Sequence, residues 1–122
     1  MSKVLVTGAS GFEGHYVVHD LLDHGYEVRA MVRSPQRATE LDGLDVEIVY
    51  ADLADYDSLR KAVQGVDHVV HPAYSAQGRV ADDPLQEFMI NEGGSLVMLE
   101  EARKQGVEKF VFTSSGASVG YR

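Results

Sequence analysis

Short apolar runs break the chain at residues 4–7, 28–33, 46–50, 68–71 and 110–113, each rich in valine, isoleucine or aromatic residues. The runs are nearly continuous rather than alternating, the pattern of strands in a parallel sheet covered on both faces. Between them the period lengthens. Phe12, Val17, Val18, Leu21 and Leu22 recur at helix spacing, and His24–Gly25 supplies the stop. A further helical segment runs over residues 55–64, apolar at Leu59, Ala62 and Val63, and closes at Gly65. The longest begins at "DDP", where Asp83 suits a cap and Pro84 a first turn, and extends to Gln105 before Gly106. Only residues 34–45 are weakly helical. This alternation of strand and helix implies right-handed crossovers. It predicts an α/β fold, a doubly wound parallel sheet of strand order 3-2-1-4-5, in a single domain over residues 1–122 without repeat or linker.

The first strand ends in "TGASGFEG", with glycines at Gly8, Gly11 and Gly14. Spaced glycines alone are weak evidence, because turns and helix ends use them anyway. Here they follow a buried strand and open an amphipathic helix inside one strand–helix–strand unit, the context of a dinucleotide cradle. Gly8 permits a sharp turn, Gly11 lets a pyrophosphate approach the backbone, Gly14 lets helix and strand lie close, and the helix N-terminus offers unpaired amides. A tight turn without a ligand is the alternative.

With those residues in view, "TGASGFEG" resembles the TGxxGFxG loop of the short-chain dehydrogenase/reductase superfamily, in its extended branch of sugar epimerases, dehydratases and dihydroflavonol reductase-like enzymes. "VRAMVRSPQRA", "EIVYADLADYDSL", "VDHVVHPA" and "NEGGSLVMLEEARKQGVEKFVFTSS" resemble successive blocks of that branch in the same order, and together they span essentially the whole chain. The resemblance implies a Rossmann fold that holds NADP or NAD and acts on a small-molecule carbonyl or sugar-type substrate by hydride transfer. It assigns Gly8, Ser10, Gly11, Phe12, Glu13 and Gly14 to the cofactor loop, and Asp52 with Leu53 to the adenine side. His71 and Ala73, in an HxA-like block, fall on the nicotinamide side. Asn91, Gly94 and Ser95 resemble the NxxGT block of the long helix.

Arg33 stands where a domain that prefers NAD closes its second strand with an acidic residue. An arginine pairs with a 2′-phosphate, so NADP is favoured, with Arg37 and Ser34 nearby; a solvated strand-end charge is the other reading. Asp52 or Asp55 is equally suited to cap the next helix. Glu13 departs from the family, which has an apolar residue there. Its carboxylate either weakens the cradle by repelling the pyrophosphate or turns outward and favours the helix N-terminus.

In this superfamily a serine orients the reacting oxygen, a tyrosine is the acid/base, and a lysine four residues later lowers its pKa. The resemblance puts Ser115 in the serine role, with Ser114 as the neighbouring candidate. No tyrosine of the chain has a lysine four residues on. The expectation is an N-terminal piece of a longer enzyme whose sheet stops after the fifth strand, inactive by itself. Its fifth strand should form an exposed edge that invites self-association, and a homo-oligomer is the expectation. A non-catalytic NADP sensor or interaction module of the same fold is the alternative.

Bulk properties narrow the partners. The 122 residues carry 11 basic and 19 acidic side chains, a net charge of −8, which argues against nucleic acid or an anionic membrane surface. There is no cysteine, so disulfide and thiolate chemistry are excluded, and with no leader-like or membrane-spanning run the expectation is a cytoplasmic protein. His15 and His19 lie one helical turn apart and suit a shared metal, but no third ligand joins them at a recognisable spacing, and a solvated helix face is favoured.

Overall fold

A computed structural model describes residues 2–71 and 84–112; within those ranges the side chains of residues 12, 13, 84, 86–91 and 112 are left aside. The elements alternate along the chain: β1 (Lys3–Val6), α1 (Phe12–Asp23), β2 (Glu27–Val32), α2 (Pro35–Ala38), a 3₁₀ turn (Thr39–Leu41), β3 (Glu47–Tyr50), α3 (Tyr56–Val63), β4 (His68–His71), α4 (Pro84–Gln105) and β5 (Lys109–Phe112). All strand pairs are parallel and their order is β3-β2-β1-β4-β5, the doubly wound arrangement expected. The weakly helical link resolves into one short helix and the 3₁₀ turn.

Strand bounds shift by a residue from the apolar runs, because pairing and not hydrophobicity sets them. Lys3 pairs with Glu27, so β1 and β2 each begin on a charged residue and Arg33 falls just beyond β2. Thr7 follows β1 and still donates its N–H to the carbonyl of Val70 at 3.1 Å. Thr113 and the Asp83 cap lie outside the described residues.

The near-continuous apolar runs are explained by a core on each side of the sheet. Val4, Val6, Val28, Ala30 and Val32 face one cluster with Val18 of α1 and Leu41. Leu5, Met31 and Val69 face the other, with Leu59, Ala62 and Val63 of α3 and Met98 and Ala102 of α4. Successive strand residues point to opposite faces, so every position between Val4 and Val6 must be apolar. Arg29 is the exception. Its guanidinium is buried beside the end of α3, where it donates to the carbonyls of Ala62 and Gln64 and to the Glu47 carboxylate, with Lys3 as a second donor to Glu47. A buried charge is tolerated only when paired and hydrogen-bonded in this way.

No helix among the described residues is long and apolar enough to cross a membrane. On its outer side β5 has no strand partner among the described residues, and Val111 is exposed there.

Candidate functional site

Parallel strands end together, and in open α/β sheets ligands bind beyond those carboxyl ends where the strand order reverses. Here the reversal lies between β1 and β4, and the chain leaves β1 through Thr7 into the glycine turn. Gly8 has φ of 56°, the left-handed region that side chains avoid. Its carbonyl accepts the Gly11 N–H at 2.9 Å, while the Ala9 N–H donates to the Met31 carbonyl at 3.1 Å and fastens the turn to β2.

Gly14 is required by contact. A Cβ there would stand 2.1 Å from the Gly8 oxygen and 2.9 Å from the Ala9 Cα, both backbone atoms. The first turn of α1 is thereby held directly against the loop leaving β1. Gly11 caps that helix from an extended conformation without any side-chain cap bond. The opening amides of α1 have no partner within the helix, by the geometry of any helix end, and they carry the positive end of its dipole. The glycine turn held against the open helix end has the backbone form that suits a pyrophosphate.

Arg33 is exposed just past β2. Ser34 beside it caps α2, accepting the Arg37 N–H at 3.4 Å, so its hydroxyl already has a structural task; Arg37 itself is exposed. After β3 the two readings of the aspartates separate. Asp55 is the N-cap of α3 and accepts the Ser58 N–H at 3.3 Å. The Asp52 carboxylate instead accepts the Ala54 N–H at 2.9 Å, and its own N–H is bound by the Ser58 hydroxyl at 3.1 Å. Leu53 is buried, and α4 approaches it so closely that a Cβ on Gly94 would lie 2.7 Å from the Leu53 carbonyl oxygen.

His71, at the end of β4, is fully buried and joins three elements. Its Nδ1 is 2.7 Å from Thr7 Oγ1 after β1, and its Nε2 is 2.8 Å from Ser95 Oγ on α4. Phe110 of β5 stands edge-on to the ring, centroids 6.0 Å apart. Burial pushes the imidazole down to about 4, so it is neutral at physiological pH, with one nitrogen donating and the other accepting. The sequence marked His71 and Ser95 separately and gave no sign of Thr7. The available signal was three polar residues at the ends of apolar runs that the topology brings together.

The structure therefore gathers Gly8, Ser10, Gly11, Gly14, Asp52, Leu53 and His71 on elements that end at one edge of the sheet, with Arg33 at the neighbouring strand end. The helical positions of Phe12 and Glu13 open α1. Ser115, Ser114 and Ala73 lie outside the described residues. A cleft of about 640 Å³ lined by Lys3, Tyr26, Glu27, Asp45 and Glu47 lies at the opposite, amino-terminal end of the strands, away from the glycine turn. Among the described residues no cluster of three or more metal-ligating side chains occurs.

Fold and glycine turn together define a Rossmann-type dinucleotide-binding protein. The sequence model of the NAD dependent epimerase/dehydratase family matches residues 4–121, and the chain belongs to that family, within the extended short-chain dehydrogenase/reductases. It is 43% identical over 117 residues to sterol demethylase protein B of Methylococcus capsulatus, covering 95% of this chain and 35% of that protein. It is 36% identical over 124 residues to a 3 beta-hydroxysteroid dehydrogenase/Delta 5-->4-isomerase of Mycobacterium tuberculosis, covering 98% of this chain and 33% of that protein. Among solved structures, the Thermus thermophilus UDP-glucose 4-epimerase in complex with NAD superposes with a TM-score of 0.76 at 36% identity, covering 93% of this chain and 38% of that one. The chain thus spans about a third of the length of the relatives it matches.

Proposed function

We propose that residues 1–122 form the cofactor-binding domain of a cytoplasmic oxidoreductase or epimerase/dehydratase that works by hydride transfer and prefers NADP to NAD. The observation that carries this reading is the glycine turn fastened against the open N-terminus of α1, with Arg33 exposed at the adjoining strand end. The bound dinucleotide supplies the hydride chemistry. The chain supplies placement.

In this reading the amides following Gly8, together with Ser10, Phe12 and Glu13, hold the pyrophosphate. Arg33 pairs with the 2′-phosphate, an interaction that NAD cannot offer. Asp52 and Leu53 border the adenine, and His71 and Ala73 the nicotinamide. His71 acts as a fixed neutral spacer, since the Thr7 and Ser95 hydroxyls orient its ring. Ser115 orients the reacting oxygen of a carbonyl or sugar-type substrate. The described residues hold no tyrosine–lysine pair to exchange its proton, so the chain alone is expected to bind cofactor without turnover. That relatives named for steroid and for sugar-nucleotide chemistry match the same stretch supports the reading that these residues serve the cofactor and not the choice of substrate.

Titration of NADPH and NADH onto the purified chain, followed by cofactor fluorescence, tests the reading. Saturable binding with NADPH tighter is expected. Equal or tighter binding of NADH would remove the role given to Arg33, and no binding of either would remove the cradle.

A further inference from the structure

His15 and His19 stand one turn apart on α1, and the structure brings their Nε2 atoms to 3.1 Å, with ring centroids 4.4 Å apart and planes tilted by 48°. The same nitrogen of each ring makes the contact. We infer that this pair is a two-histidine chelating site for a borderline divalent transition metal, with zinc as its type ion.

The spacing fits. Two nitrogens 3.1 Å apart, each about 2.0–2.1 Å from a zinc ion, enclose an angle of about 95–102° at the metal. That lies between square and tetrahedral coordination, so the separation suits one ion once each ring turns by about 40° to direct its lone pair off the line joining the nitrogens. Imidazole suits zinc, nickel and copper, whereas magnesium and calcium take oxygen ligands. His19 is exposed and His15 half-buried, so the outer side of the site is open to water. With no third protein ligand among the described residues, water completes the coordination and the ion is exchangeable.

The tautomers give the site a signature. Without metal the two Nε2 atoms share one proton. His15 Nδ1 is buried and has no hydrogen-bond partner. A bare lone pair there is less costly than an unpaired N–H, so His15 donates from Nε2 to His19. A metal needs both Nε2 lone pairs, so in the metal-bound form the His15 proton sits on Nδ1. Each ring then carries its proton on Nδ1, and the unpaired buried N–H of His15 keeps the affinity moderate.

Isothermal titration of zinc sulfate into the whole chain at neutral pH tests the site. One zinc per chain is expected, with no binding of magnesium. His19→Ala should weaken zinc binding roughly tenfold or more, the low end of what loss of an orienting partner costs a metal site. His24→Ala should leave it unchanged, because that imidazole is engaged with the Asp20 carbonyl at 2.8 Å. Circular dichroism confirms that the exposed-site variant folds. Zinc should raise the Tm of the parent chain and not that of His19→Ala. Long-range ¹H–¹⁵N spectra should show the His15 proton passing from Nε2 to Nδ1. No saturable binding at millimolar zinc, unchanged affinity in His19→Ala, or an unmoved His15 proton would each overturn the inference.

Discussion

Replacing Gly14 with alanine would place a methyl group 2.1 Å from the Gly8 oxygen, 2.8 Å from its carbonyl carbon and 2.9 Å from the Ala9 Cα. No rotamer relieves this contact, because all three atoms are backbone. The turn cannot yield freely either: Gly8 is held by the Gly11 N–H at 2.9 Å, and Ala9 is tied to Met31 at 3.1 Å. To reach ordinary contact, helix and turn must part by more than about 1 Å, a displacement of the kind that overpacking charges at about 1–3 kcal/mol. Alanine returns at most about 1 kcal/mol of helix propensity. With that return subtracted, the net expectation is a loss of up to about 2 kcal/mol in stability, with NADPH binding weakened roughly tenfold as the phosphate-facing amides move, equivalent to about 1.4 kcal/mol. Gly93→Ala is the control. Its Cβ would meet the Tyr56 hydroxyl at 2.5 Å, but that oxygen is the far end of an exposed side chain that can swing aside, so the propensity gain leaves this variant neutral to slightly stabilised. Urea melts of both variants and NADPH titrations decide the matter. A Gly14→Ala chain as stable as Gly93→Ala, with parental NADPH affinity, would refute the assignment of Gly14 to close helix–turn contact.

Arg33→Ala should cost about 1.5–3 kcal/mol of NADPH binding, the scale of hydrogen bonds to a charged group, and leave NADH binding unchanged in the same titration. Glu13→Leu should tighten NADPH binding at low salt, with the gain shrinking as salt is added; an identical dissociation constant at low salt would show that the carboxylate does not repel the pyrophosphate. The buried His71, pushed down to about 4, binds its proton less readily when folded than when unfolded. Stability is therefore full above the ordinary imidazole value of about 6.5 and falls as pH drops towards 4, by roughly 3 kcal/mol in all; a His71 NMR titration with its midpoint near 6.5 would contradict this. Glu47 acts in the same direction: burial raises its carboxyl, but hydrogen bonds from Arg29 and Lys3 outweigh that and hold it low, so its contribution is also lost in acid. NADPH oxidation with carbonyl substrates should be absent for the isolated chain, and measured turnover by the monomer would force a search for another proton donor.

The fold was legible because both faces of the sheet are covered. Val4, Leu5 and Val6 serve opposite cores, so the run reads as unbroken apolar sequence, and the helices between such runs leave few topologies. The glycine turn was legible for a different reason: Gly8 and Gly14 answer local demands of dihedral angle and close approach that sequence spacing records. Long-range polar partners leave no such record. Arg29 reads as an intruder in an apolar strand until its acceptors, Ala62 and Gln64, arrive from 33 and 35 residues away. The Thr7–His71–Ser95 line was equally hidden, since three residues on three elements meet only after the sheet has formed. Asp52 and Asp55 were interchangeable in the sequence, and backbone geometry separated them: the extended Asp55 caps α3, while Asp52 closes a turn onto Ala54.

These pieces share one mechanical logic. Parallel strands leave their ends unpaired at a common edge, and the loops that leave them would be free to move unless something other than the sheet holds them. In this chain two glycines supply that hold by removing side chains. Gly14 lets α1 rest on the turn after β1, and Gly94 lets α4 rest on Leu53 after β3. His71 adds a third fastening, from the end of β4 to Thr7 on one side and Ser95 on the other. Each fastening joins a loop to a helix anchored in one of the two cores through Val18 or Met98. In the proposed reading, a dinucleotide at this edge meets the turns after β1 and β3 already fastened, so its binding need not supply their ordering, at about 1–2 kcal/mol per residue fixed. In the proposed cradle, phosphate recognition by main-chain amides depends on that order more than on any side chain, so the Glu13→Leu gain should be small beside the loss expected for Gly14→Ala.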